Sequence, residues 1–204
     1  MVQAVLFDIG NVFVHWSPRF LYEKLIDDPA ELDWFLSEVV TLDWHTAHDA
    51  GRPFAESIAE RVRAYPDHGD LIRAFDSRWD ETIRGPIPGS VAALESLKAA
   101  GVPSYALTNF SAEKWPPFRQ SFAFARLFDG VVVSGEEGLV KPDPAIYHRA
   151  VTRFRLTPEH TLFVDDRADN IAAAEALGFR AHLFESPDGL HRALEAHGLP
   201  APRR

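Results

Sequence analysis

The chain has 204 residues, of which 46% are hydrophobic and 25% charged, the balance of an ordinary globular protein, and its length admits one domain or a core with an insertion. Its 30 acidic and 21 basic side chains leave a formal net charge of −9, which argues against nucleic acid or an anionic membrane as partner, since both call for basic surface. There is no cysteine for a disulfide or thiolate metal site, and no apolar run approaches the roughly 18 residues of a membrane span, so a cytoplasmic protein is expected.

The apolar run Ala4-Val5-Leu6-Phe7 reads as a buried parallel strand and ends in Asp8. Asp8 then stands at the strand's carboxyl end, where open α/β sheets place their ligand crevice. Gly10 lets the backbone turn and lets a ligand come close. Ser17-Pro18 and Asp28-Pro29-Ala30-Glu31 are helix starts. Leu32, Phe35, Leu36, Val39 and Val40 follow as an apolar stripe at helical spacing. Gly51-Arg52-Pro53 opens a helix carrying Phe54, Ile58 and Val62, and a further one holds Leu71, Ile72, Phe75 and Trp79. From about residue 17 to 84 the pattern is helix and turn, with no strand.

Pro86-Ile87-Pro88-Gly89 marks a boundary. Beyond it strands and helices alternate. Ser104-Tyr105-Ala106-Leu107 runs into Thr108-Asn109, and Gly130-Val131-Val132-Val133 is a third strand. Asp143-Pro144 starts a helix, Thr161-Leu162-Phe163-Val164 is a fourth strand with Asp165-Asp166 at its end, and a fifth runs from Arg180 to Phe184. This alternation predicts a five-stranded parallel sheet, Rossmann-like and covered on both faces. The expected organisation is an α/β core of residues 1–15 and 86–204 with an inserted α-helical cap over 16–85.

Parallel strands share one direction, so their carboxyl ends meet on one edge. Asp8, Thr108 and Asn109, Lys141 and the pair Asp165 and Asp166 therefore gather in one crevice. Three carboxylates against one lysine cannot all stay ionised at low dielectric without help. Either a pKa rises sharply or a divalent cation neutralises the excess, and an oxygen-only ligand set favours Mg²⁺.

Phe7-Asp8-Ile9-Gly10-Asn11-Val12, Leu107-Thr108-Asn109, Lys141-Pro142 and Phe163-Val164-Asp165-Asp166 through Asn170 resemble the four ordered motifs of the haloacid dehalogenase superfamily, closest to its Asp-x-Gly-Asn-Val branch of sugar-phosphate phosphatases. The resemblance spans almost the whole chain. It implies a sheet of order 5-4-1-2-3 and Mg²⁺-dependent hydrolysis of a small phosphate monoester. Asp8 would attack phosphorus to form an aspartyl-phosphate, with Lys141 neutralising nucleophile and phosphate. Thr108 would bind the phosphate oxygens with Asn109 beside it. Asp8, Asp166, the Gly10 carbonyl and Asp165, directly or through water, would hold the metal.

One position departs from the family's phosphatase pattern. The Asp that usually stands two residues after the nucleophile, as general acid and base, is here Gly10. His15 or a cap residue is a candidate to replace it. The departure keeps two alternatives open: a 2-haloacid dehalogenase, in which Asp8 attacks carbon and halide leaves without a proton, and a weakly active or inactive binding module on the same fold. The adjacent Asp165-Asp166 favours the phosphatase over the dehalogenase. Lys114 and Trp115, just after the second motif, are candidates to face the substrate, and Arg19 and His45 are candidate specificity residues in the cap. The other tryptophans are expected mostly as packing, His45-His48 as surface, and Glu136-Glu137 as a solvated loop. The substrate's identity and the oligomeric state are left open.

Overall fold

A computed structural model describes residues 1–202. Its central strand, β1 (Ala4–Phe7), is buried along its whole length, because neighbours flank it on both sides and side chains pack on both faces. Val5 and Phe7 join one apolar cluster with Leu162 and Val164, while Leu6 joins a second with Leu107, Val132 and Phe163. That period of two, apolar on either face, is what a doubly covered parallel sheet requires.

The chain continues through β2 (Val14–Trp16) and then helices α1 (Arg19–Tyr22), α2 (Pro29–Trp34), α3 (Leu42–Asp49), α4 (Phe54–Ala64) and α5 (Gly69–Ser77), before β3 (Ile83–Pro86). After α6 (Pro88–Ala99) come β4 (Ser104–Thr108), α7 (Trp115–Ser121), β5 (Gly130–Val133), α8 (Ser134–Glu137), α9 (Pro144–Phe154), β6 (Thr161–Asp165), α10 (Ala168–Ala176), β7 (Arg180–Leu183) and α11 (Pro187–Ala196). The sheet order is β5-β4-β1-β6-β7, with every neighbouring pair parallel. Counting only these five strands in chain order, the same sheet read from its other edge is 5-4-1-2-3, as the sequence implies. The order reverses beside β1, which opens the crevice at its carboxyl end.

Several local signals act as expected. Asp28 and Asp143 each accept a hydrogen bond from the backbone N–H two residues on, at 2.9 and 2.8 Å, and so cap α2 and α9. Of the stripe from Leu32 to Val40, Leu32, Phe35, Val39 and Val40 are buried and Leu36 half-buried, although Phe35–Val39 winds as a π-helix. Two features differ from the sequence reading. β2 and β3 pair as an antiparallel ribbon, Val14 opposite Pro86 and Trp16 opposite Ile83, at the two ends of the helical insertion. The strands are too short, and Gly85-Pro86 too turn-like, for a period-2 signal to show. α3 is likewise absent from the sequence reading, where no apolar stripe marks it.

The insertion shares an apolar core with one face of the sheet: Phe35, Phe54, Phe75 and Trp79 belong to the cluster that contains Phe7, Phe13 and Phe110. Fully burying side chains of this size contributes about 1.5–3 kcal/mol each. Polar fasteners add to it. Glu113 accepts from the Phe54 N–H at 3.0 Å, and the Lys114 ammonium binds the Asp76 carbonyl at 3.0 Å and also its carboxylate. Among the described residues no helix is long and apolar enough to cross a membrane.

Candidate active site

Asp8 follows β1, and its N–H donates to the Val164 carbonyl at 2.8 Å, so the sheet's own ladder fixes where the carboxylate begins. Lys141 reaches in from the segment between α8 and α9. Its ammonium lies 2.8 Å from Asp8 Oδ1 and 2.6 Å from Asp165 Oδ2. All three residues are buried. The Lys141 backbone is held in turn by Asn109, whose amide donates to the Lys141 carbonyl at 3.0 Å and accepts from its N–H at 2.8 Å.

Asp165 is fully engaged. Besides Lys141, it accepts at Oδ1 from Asn170 Nδ2 and from the Arg167 N–H, both at 2.9 Å. Asp166, next in the chain, is half-buried and lines the cavity. One carboxylate oxygen each from Asp8, Asp165 and Asp166 lie within 4.8 Å of one another. Burial drives the Asp8 carboxyl up to about 7; Lys141 opposes the rise, and the charges of Asp165 and Asp166 add to it. Burial and Asp165 also raise Asp166. Burial works against the charge on Lys141, but Asp165 and Asp8 outweigh it and hold the ammonium more firmly protonated than usual. The cluster is thus short of positive charge. Its all-oxygen donors, with a glycine beside them, suit a hard dication.

Asp8, Lys141 and Asp166 line a cavity of about 260 Å³ between the sheet edge and the insertion. Trp16, Leu42, Trp79, Ile83 and Phe110 give it an apolar wall, and α3 contributes His45, Thr46 and Asp49.

The structure sorts the remaining expected site residues. Gly10 and Asn109 line the cavity. Thr108, which ends β4 beside Asn109, is not among the lining residues, and its buried hydroxyl has no protein hydrogen-bond partner. Lys114 and Trp115 are not among the lining residues: the lysine is spent on Asp76, and Trp115 packs against Phe110 and Phe118. His15 is exposed and also outside the lining, and Arg19 pairs with Asp33 at the surface. His45 and His48 are buried rather than surface residues. His48 lies flat on Phe54, with centroids 4.1 Å apart, because α3 turns its histidine side into the insertion's aromatic core. Glu137 is no solvated loop residue either; it belongs to α8 and binds Arg149 at 2.9 Å and also Arg153. Asp49, which the sequence reading passed over, is buried in the cavity wall, and burial with the nearby Asp8 charge lifts its carboxyl to about 8 against the pull of Lys141.

Known proteins resemble this chain in sequence or in fold. A sesquiterpene phosphatase of Aspergillus oryzae, astK, is 28% identical over 90% of this chain and 91% of its own. A drimenol cyclase of Aspergillus calidoustus, drtB, is 38% identical over the whole chain, which spans 38% of that protein. Among solved structures, the HAD family enzyme bt-2542 of Bacteroides thetaiotaomicron, in complex with magnesium and inorganic phosphate, superposes with a TM-score of 0.73 at 19% identity, covering 91% of this chain and 96% of that one. The family model of haloacid dehalogenase-like hydrolases matches residues 2–178, and the chain belongs to that family.

Proposed function

We propose that this hydrolase cleaves a small phosphate monoester through an aspartyl-phosphate on Asp8, with Mg²⁺ in the acidic cluster. The observation that carries the reading is the Asp8–Lys141–Asp165 chain of contacts at 2.8 and 2.6 Å, of which Asp8 and Lys141 line the cavity together with Asp166. A carboxylate that attacks a phosphate monoester must overcome repulsion between like charges. Lys141 offsets it directly, and Asp165 and Asn109 hold the lysine in place from two sides.

The residues present fit a divalent cation, since Asp8, Asp166 and the Gly10 carbonyl offer oxygen donors and Asp165 completes the acidic trio. Asp165, whose oxygens already serve Lys141, Asn170 and Arg167, is better suited to act through an intervening water than as a direct ligand. When bound, Mg²⁺ would neutralise surplus negative charge at the phosphate. The Thr108 hydroxyl, which has no protein partner, would donate to a phosphate oxygen. Covalent catalysis then divides the hydrolysis into two easier displacements at phosphorus. The apolar wall of Trp16, Trp79, Ile83 and Phe110 suits a compact, weakly polar alcohol as leaving group, and the insertion screens the reaction from bulk water.

Release of phosphate from p-nitrophenyl phosphate, with Mg²⁺ and with EDTA, tests the reading. Activity is expected with Mg²⁺, lost in EDTA and lost in Asp8→Asn. Undiminished turnover by Asp8→Asn would remove the nucleophile assignment, and halide release from a 2-chloroacid in EDTA would favour the dehalogenase chemistry instead.

A further inference from the structure

We infer that Asp49 is the general acid and base of this site, taking the role that the glycine at position 10 leaves vacant; the inference rests on the phosphatase reading. Beside the nucleophile there is room, and position 10 carries no carboxyl to give a proton to the leaving oxygen. A Cβ built on Gly10 would meet only Asp8 Oδ2, at 3.9 Å. The carboxyl that fills the need comes from across the cavity. Asp49 ends α3, is 6% exposed, and lines the same cavity as Asp8, Gly10 and Lys141.

Its placement is fixed from two sides. Ser134 Oγ donates to the Asp49 carbonyl at 2.6 Å and accepts from the Phe110 N–H at 2.8 Å, so the backbone that carries the carboxyl is tied to the ends of β4 and β5. At the carboxylate itself, Asp49 Oδ2 lies 3.3 Å from His45 Nε2, and the His45 ring stacks on Trp16 with centroids 4.6 Å apart. A carboxyl held this way is on a rigid mount, which proton transfer in a transition state demands.

The charged and titratable groups around it are His45 on its own helix, Asp8 at the end of β1 and Lys141 from the segment between α8 and α9. Burial keeps His45 neutral, at about 3, so the imidazole holds no surplus proton to give. Burial and Asp8 together keep the Asp49 proton on at neutral pH. That is the state a general acid needs at the outset. His15, the other candidate, is exposed and outside the cavity lining.

The bonds balance. Asp8 Oδ bonds to phosphorus as the bond from phosphorus to the alcohol oxygen breaks, and the Asp49 proton passes to that oxygen. A water oxygen then bonds to phosphorus while its proton goes to the Asp49 carboxylate and the bond to Asp8 breaks. Phosphate leaves with both side chains restored.

The test compares leaving groups in a single turnover with Mg²⁺, using butyl phosphate, whose alkoxide needs a proton, and p-nitrophenyl phosphate, whose phenolate does not. Asp49→Asn is expected to slow butanol release about 10²–10⁴-fold and nitrophenolate release less than about tenfold, the latter also showing that the variant is folded. Gly10→Asp in the Asp49→Asn background should recover butanol release at least about tenfold. An equal loss with both esters, no loss with either, or a double variant no faster than Asp49→Asn would overturn the inference. A wild-type protein inert to both esters would instead bring down the phosphatase reading, and this inference with it.

Discussion

Asn109 and Lys141 exchange two hydrogen bonds, the Asn109 amide donating to the Lys141 carbonyl at 3.0 Å and accepting from its N–H at 2.8 Å. The residue that sequence motifs place beside the phosphate is therefore first a clamp on the lysine. Asn109→Leu removes both bonds and frees the segment between α8 and α9. A displacement of about 1 Å at a reacting group can cost about 10²-fold, and a fall of that order in kcat/KM with unchanged circular dichroism is expected.

Lys141 is the cation between two buried carboxylates. Lys141→Met leaves Asp8 and Asp165 facing each other, and removing one partner of a buried pair costs about 3–5 kcal/mol. Adding Asp165→Asn removes one of the stranded charges. The double variant should unfold in urea at a higher midpoint than Lys141→Met alone, with a coupling above about 1 kcal/mol.

The acidic trio predicts a stability that follows Mg²⁺. A ligand bound only by the folded state at 100 times its dissociation constant adds about 2.7 kcal/mol. Thermal scans should show Tm rising with Mg²⁺ for the wild type. The rise should be largely absent in Asp166→Asn, which lacks the half-buried carboxylate on the cavity side.

His48 gives the fold an acid-sensitive point in the insertion. Burial holds its imidazole at about 4, against an ordinary value of 6.5, with Arg52 and Lys114 helping and Asp76 opposing. Between those values the unfolded chain takes up a proton that the folded chain refuses. The residue's contribution to stability is complete above pH 6.5 and falls away as the pH drops toward 4. His48→Phe keeps the flat packing on Phe54 and removes the titration. Its stability relative to wild type should grow by up to about 1.4 kcal/mol for each unit of acidification through that window, measured by urea unfolding at pH 7 and pH 5.

What the sequence discloses follows from where its chemistry sits. Asp8 and Asp165 lie at strand ends, so apolar runs of known period locate them and parallel strands bring them together by topology, while Lys141, beyond α8, is reached through the chain that leads on from β5. Lys114 and Trp115 are close to a motif in sequence, but Lys114 points to Asp76 and Trp115 to Phe118, a difference of side-chain direction that spacing alone does not encode. Asp49 is the opposite case. It ends a helix whose buried side is Trp44, His45 and His48, residue types that do not register as an apolar stripe, so both the helix and its carboxyl escape a search for periodicity. Its importance emerges only when Ser134, 85 positions away, is seen bonded to its backbone.

The nucleophile assignment to Asp8 is tested most directly by acid-quenching the wild-type enzyme during turnover of p-nitrophenyl phosphate with Mg²⁺ and mapping its peptides by mass spectrometry. One phosphoryl group is expected on the peptide containing Asp8, acid-stable and hydroxylamine-labile, and none in Asp8→Asn. Steady phosphate release with no phosphorylated Asp8, or with the adduct on another residue, would contradict it.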